Sequence, residues 1–229
     1  MSGIDLVIFD CDGVLVDSEI VAARVEADLL TKAGFPIEAE DLARAYAGLT
    51  FKEMMLRIEQ ESSQLFQATM IDEAEKLVDR RLAAELKAIE GVHAAVASVT
   101  TRRCICSNSG QKRLEMMLTK TRLLPFFENT IFSPLDTPSA KPKPAPDVFL
   151  YAAEKMEAAP KRCFVIEDSV HGIAGARAAG MRVIGFTGAS HTHPGHADLL
   201  TEAGAETVIH RWADFPAVLA ALSEWSEGA

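Results

Sequence analysis

Residues 4–19 read Ile4-Asp5-Leu6-Val7-Ile8-Phe9-Asp10-Cys11-Asp12-Gly13-Val14-Leu15-Val16-Asp17-Ser18-Glu19. The run from 4 to 9 is short, apolar and rich in strand formers, and it stops at Asp10-Cys11-Asp12-Gly13. A nearly continuous apolar strand of this length suits the centre of a parallel sheet, buried on both faces. The same arrangement recurs downstream. Residues 103–106 form a strand that ends at Ser107-Asn108-Ser109-Gly110, with a helix over 111–119 behind it. Residues 129–132 read as a short strand, and a proline-rich loop over 134–146 leads into a helix over 147–156. Residues 163–166 form a strand ending at Glu167-Asp168-Ser169, followed by a small-residue helix over 173–179 that Gly180 closes. Strands over 182–186 and 207–209 and a helix over 215–225 complete the chain.

Between 18 and 87 the texture is different. Helical patterns cover 20–33, 39–46, 51–60 and 64–87, punctuated by Gly34-Phe35-Pro36 and Gly48, with no convincing strand. Alternating strands and helices predict an α/β fold with a doubly wound parallel sheet, because parallel neighbours need crossover connections. The helical stretch is then an insertion. In such sheets ligands bind beyond the carboxyl ends of the strands. Asp10 and Asp12, Ser107 and Asn108, and Glu167 and Asp168 all stand at strand ends, which predicts one shared site.

Composition narrows the function. The 229 residues are 48% hydrophobic and 24% charged, as in ordinary globular proteins. A net charge of -10 argues against gripping a nucleic-acid backbone, which needs clustered positive charge. No apolar run reaches the ~20 residues of a membrane span. The first residues have no basic segment, so no secretory leader is expected. Cys11, Cys104, Cys106 and Cys163 lack paired metal-ligand spacing and, three of them lying inside apolar runs, read as reduced, buried residues of a cytoplasmic protein.

Asp10, Asp12, Glu167 and Asp168 would repel one another in a common crevice unless protonated or neutralised by a cation. Mg2+ fits best, since it binds through a few carboxylates and keeps positions for water and phosphate. A calcium loop is excluded by position: Val14 and Val21 would fall where ligands belong, and a strand precedes the motif. Ser107 and the amides near Asn108 open onto a helix N-terminus, and Lys143 lies in a proline-stiffened loop. With Mg2+ these make a pocket for one phosphoryl group. Asp10 could then attack phosphorus, while Asp12 protonates the leaving oxygen and later deprotonates the attacking water.

At this point the motifs resemble those of the haloacid-dehalogenase-like (HAD) hydrolase superfamily, in its subfamily with a helical cap. The segment from Asp10 to Glu19 is similar to the first motif and Ser107-Asn108 to the second. Lys143-Pro144-Ala145-Pro146-Asp147 is similar to the third, and Glu167-Asp168-Ser169 with Gly172-Ile173 and Ala178-Ala179-Gly180-Met181 to the fourth. The resemblance implies a Rossmann-like core of residues 1–15 and 91–229 and a helical cap of residues 16–90. It implies Asp10 as nucleophile, Asp12 as acid and base, and Ser107, Asn108 and Lys143 as phosphate ligands. It implies a metal held by Asp10, the Asp12 carbonyl, Asp168 and Glu167. Lys141 also precedes a proline, but Lys143 matches the family pattern through Asp147 and Phe149.

In capped relatives the insertion selects the leaving group. Glu19, at the start of the cap, and Lys52, in the loop Gly48-Leu49-Thr50-Phe51-Lys52, are the candidates here. Relatives resembling β-phosphoglucomutase carry an arginine at the position of Phe51, so its absence favours simple hydrolysis over a phosphosugar mutase. The expected enzyme is a Mg2+-dependent phosphatase acting on a small sugar phosphate or sugar-acid phosphate. It needs no nucleic acid or membrane and is expected as a monomer or weak homodimer. A non-catalytic metabolite-binding module is the rival from another class. His171 reads as a surface or rim residue, and His191, His193 and His196 as a polar loop. Met54, Met55, Leu56 and Ile58 read as cap core, and Trp212 and Trp225 as packing for the last helix.

Overall fold

The computed structural model describes residues 3–46 and 49–225. Gly48, read above as a break between helices, and the side chain of Trp225 lie outside the described residues. The strands are β1 (Leu6–Phe9), β2 (Arg102–Cys106), β3 (Ile131–Phe132), β4 (Cys163–Glu167), β5 (Arg182–Phe186) and β6 (Thr207–Ile209). They form one six-stranded sheet in the order β3-β2-β1-β4-β5-β6, with every pairing parallel. The order turns back between β1 and β4, the place where open α/β sheets leave a crevice for ligands.

Alternation along the strands sends side chains to two separate cores. Val7, Phe9, Ile105, Phe164, Ile166 and Ile184 face one side. There they meet α5 (Val92–Ser98), α6 (Gln111–Lys120) and α10 (Phe215–Trp225). Leu6, Ile8, Cys104, Cys106, Val165 and Val183 face the other. There they meet α7 (Asp147–Lys155), α8 (Val170–Ala178) and α9 (His196–Glu202). Both faces being covered explains why β1 is buried throughout. The four cysteines are free and buried.

Trp212 ties this scaffold to the loop after β1. Its ring stacks on Phe186 at 4.7 Å and lies 5.9 Å from Phe9. Its indole N–H donates to the Val14 carbonyl at 3.2 Å, giving a buried donor its partner. The loop carrying Asp10 and Asp12 is thus fixed from below.

The insertion is helical: α1 (Glu19–Lys32), α2 (Ala39–Ala45), α3 (Phe51–Glu61) and α4 (Thr69–Glu85). Thr50 and Glu53 form a reciprocal capping box that starts α3. Met54, Met55 and Ile58 are buried in the cap, whereas Leu56 is 47% exposed. The two chain crossings pair with each other. Val16 and Ala88 form an antiparallel bridge, Asp17 N donates to Lys87 O at 3.0 Å and Ile89 N to Leu15 O at 3.1 Å. A two-stranded ribbon therefore hinges the cap to the sheet.

Three stretches differ from the sequence-based expectation. The long helix expected from 64 begins only at Thr69. Upstream of it, the Ser62 hydroxyl binds Ile58 O, the Gln64 amide binds Ala33 O and Phe66 N binds the Glu59 carboxylate. Polar side chains there satisfy backbone groups a helix would have used. The short helices α5 and α9 were not foreseen. Each follows a glycine with positive φ, Gly91 and Gly195, which reads in sequence as a loop.

Candidate active site

Parallel register brings the strand ends together. Phe9 pairs with Ile105 and with Ile166, so Asp10 stands level with Glu167, which closes β4, and with Cys106, one residue before Ser107. The Asp10 amide donates to Ile166 O at 3.0 Å, which fixes the turn out of the sheet. Two glycines leave room for the carboxylates. Gly13 has φ +70°, and a Cβ there would lie 1.9 Å from Asp168 Oδ2. A Cβ on Gly172 would lie 1.9 Å from Glu167 Cδ.

Lys143 enters this crowd from the proline-rich loop. Its Nζ donates to Asp10 Oδ1 at 2.5 Å, Glu167 Oε1 at 2.6 Å and Cys106 O at 2.7 Å. Lys141 is exposed. Burial raises the Asp10 and Glu167 carboxyls above the usual range; Lys143 opposes the rise, and neighbouring acids add to it. Burial would depress the Lys143 ammonium, but Asp10 and Glu167 together hold it above its ordinary value. One ammonium does not balance this set. Asp10, Glu167 and Asp168 are all buried and can offer oxygen atoms within 4.8 Å of one another. An all-carboxylate donor set suits a hard divalent cation such as Mg2+, and the missing Cβ atoms of Gly13 and Gly172 keep the acids in place around it.

Asp12 is held separately. Ser18 Oγ donates to its Oδ1 at 2.7 Å, while Ser109 Oγ at 2.8 Å and Ser107 Oγ at 3.2 Å donate to Oδ2. Neither Ser18 nor Ser109 was expected from sequence: Ser18 stands inside the first motif and Ser109 one residue beyond the second. Asn108 accepts from the Lys143 amide at 2.9 Å, tying the second and third motifs. Cys11 lies buried between the two aspartates; burial and then their charges push its thiol well up, so it is no nucleophile.

Above these groups lies a cavity of about 520 Å³. Asp10, Asp12, Ser107, Asn108, Lys143, Glu167 and Asp168 line its core side, and Glu19, Thr50, Glu53 and Val78 its cap side. Glu19 projects into it from the start of α1 and makes no hydrogen bond among the described residues. Its side chain remains accessible to solvent, yet enclosure by the cavity walls first, and then Asp12 and Asp168, raise its pKa from 4.5 to about 7. Lys52 is exposed and is not part of the wall. A second cation of the wall besides Lys143, unforeseen from sequence, is Arg113 on α6. Its Nε donates to Asp79 Oδ1 of α4 at 2.6 Å, bridging core and cap. His171 is exposed and sits on the cavity wall.

The loop after β5 reaches the same place. His191 Nε2 lies 3.2 Å from Asp168 Oδ2, and His196 Nε2 is 2.8 Å from Asp168 O. The histidine-rich loop is therefore part of the site rather than a free polar tail.

Residues 7–186, well over half the chain, match the family described as haloacid dehalogenase-like hydrolase. The chain belongs to that family. A 6-phosphogluconate phosphatase of Escherichia coli K12 is 30% identical over 195 residues, 85% of this chain and 87% of that protein. Among solved structures, a conserved haloacid dehalogenase-like protein of Agrobacterium tumefaciens C58 is 57% identical, with a TM-score of 0.92 over 96% of this chain and 99% of that one. A HAD family hydrolase of Deinococcus radiodurans R1, solved with bound phosphate and sodium, is 31% identical, with a TM-score of 0.83 over 96% of this chain and 97% of that one. The chain is an enzyme of this family's phosphatase kind, a phosphomonoester hydrolase. No helix among the described residues is long and apolar enough to cross a membrane.

Proposed function

We propose that this enzyme hydrolyses a small sugar phosphate or sugar-acid phosphate in two steps, with Asp10 as nucleophile and Asp12 as acid and base. The observation that carries the reading is the division of labour between the two aspartates. Asp10 is fixed by an ammonium, and Asp12 by hydroxyls alone, on the floor of one cavity. An Asp10 oxygen attacks phosphorus, the P–O bond to the sugar breaks, and the leaving oxygen takes a proton from Asp12. Water then attacks the aspartyl-phosphate, gives its proton to Asp12, and releases phosphate and free Asp10.

Lys143 would exchange one of its three present acceptors for a phosphoryl oxygen, with Ser107 and Asn108 alongside. Asp10, the Asp12 carbonyl, Asp168 and Glu167 would hold Mg2+, which when bound neutralises phosphoryl oxygens as they gain charge. Residues 16–90 form the cap that closes over the leaving group, with residues 1–15 and 91–229 as core. Glu19 faces that group, and closure excludes water. The sugar preference draws on the E. coli relative, whose substrate is a phosphorylated sugar acid. Phe51 is buried in the cap and Lys52 points away, so this loop offers no second phosphate clamp of the kind a mutase needs. Buried free thiols suit a reducing, cytoplasmic setting and a monomer or weak homodimer is the working assembly.

The test is a panel of sugar phosphates, sugar-acid phosphates, phosphoglycolate and nucleotides, assayed for released phosphate with and without Mg2+. Metal-dependent release from the sugar compounds is the expected result. Release from none of them with metal present would sink the reading and favour a binding module.

A further inference from the structure

We propose that His191 is a positioning residue for the metal site: it holds one oxygen of Asp168 so that the other faces the cation. The inference rests on the reading of Asp168 as a metal ligand given above. At 3.2 Å the His191 imidazole and the Asp168 carboxylate are in ion-pair contact, and since a carboxylate can only accept, Nε2 is the atom that carries the proton between them. Neither group has room to turn aside. A Cβ on Gly13 would meet Asp168 Oδ2 at 1.9 Å and His191 Cε1 at 2.8 Å, so backbone packs against both partners.

The rest of the loop serves the same end. Ser190 N donates to Asp17 Oδ1 at 3.0 Å, and the Ser190 hydroxyl donates to Asp17 Oδ2. This pins the residue next to His191 across the sheet's edge. His196 Nε2–H donates to the Asp168 carbonyl at 2.8 Å, and His193 stacks on the His196 ring at 5.0 Å. Asp168 is thus held at side chain and main chain by one loop. The arrangement is costly as mere packing. The Nδ1 atoms of His191 and His196 are buried with no hydrogen-bond partner among the described residues, which an apolar filler would avoid. The purchase that justifies it is orientation, the usual task of groups that hydrogen-bond metal-ligating carboxylates.

The test is Mn2+ binding to the purified full chain, followed by electron paramagnetic resonance, with Mn2+ standing in for Mg2+. His191→Ala should weaken binding by about 10- to 100-fold. His191→Gln, whose amide can still donate, should recover a large part of that loss. With Mg2+ in a phosphatase assay, the metal concentration for half-activation should rise by a similar factor. Meanwhile kcat at saturating metal should stay within about threefold. Unchanged Mn2+ affinity in His191→Ala would overturn the proposal, as would a glutamine variant no better than alanine or a wild-type chain that binds no Mn2+. If the alanine variant does not fold, the glutamine variant is compared with His191→Leu on the same two readouts. The binding arm needs no substrate. A weakened Mn2+ site in a chain that cleaves nothing on the panel would uphold this inference while the functional reading fell.

Discussion

On the floor of the cavity nearly every charged side chain is held. Lys143 bridges Asp10 and Glu167, serine hydroxyls grip Asp12, and a histidine holds Asp168. On the roof the pattern reverses. Glu19 makes no hydrogen bond among the described residues and Glu53 is spent on capping its own helix, while Arg113 reaches up from α6 of the core to a half-exposed Asp79 of the cap. Strand ends of a buried sheet are rigid and can hold reacting atoms to a fraction of an ångström. Helices on a two-stranded hinge cannot, but they can move and adapt. The contrast fits the proposed division, with chemistry below and choice above.

Substitutions sharpen that contrast, and the floor should respond most. With Asp10 as the proposed nucleophile, Asp10→Asn should lower kcat by roughly 10⁴-fold or more in phosphate-release assays. Activity near wild type would break the comparison outright. Lys143→Met should cost about 10³-fold in kcat. It should also destabilise the fold by about 3–5 kcal/mol in urea titrations, since it strands two buried carboxylates.

The contact between core and cap, and the cap itself, should respond in affinity instead. Arg113→Gln should raise KM for sugar-acid phosphates by about tenfold with kcat within about threefold, whereas Lys52→Ala should change either by less than about twofold. A fall in kcat alone for Arg113→Gln would put it among the reacting groups. The exposed ion pair it forms with Asp79 contributes at most about 1 kcal/mol to stability.

The smallest effect concerns pH. Burial, then Glu19, pushes the Glu26 carboxyl from 4.5 to about 8. The folded chain therefore keeps a proton that the unfolded chain has lost, and stability falls as pH rises from 4.5 through 8. Glu26→Gln should flatten this slope, so its melting temperature should exceed the wild type's by a few degrees at pH 8 and converge with it at pH 4.5. A parallel pair of curves would remove Glu26 from the buried side of the cap.

The sheet and the floor were legible in sequence because their signals are local. An apolar run ending in Asp10-Cys11-Asp12-Gly13 announces both a strand and its site, and the same holds at Ser107 and Glu167. What sequence did not reveal depends on contacts between distant residues. Ser190 binds Asp17 across 173 positions. Nothing in His191-Thr192-His193-Pro194-Gly195-His196 says that Asp168 lies beneath it. Arg113 looks like any exposed helix arginine until α4 is laid against α6. Lys52 was the opposite case: a basic residue beside a motif-like loop, turned outward because Phe51 takes the inward position.

Asp17 carries two fastenings. Its main-chain N–H belongs to the ribbon with Lys87, and its carboxylate clasps Ser190. Any swing of the lid that strains the ribbon is therefore felt, one residue further on, at the imidazole beneath which Asp168 sits. On the proposed roles of the cap and of His191, opening to discharge product would also loosen the ion's seat, and the metal would be gripped most firmly with the lid shut.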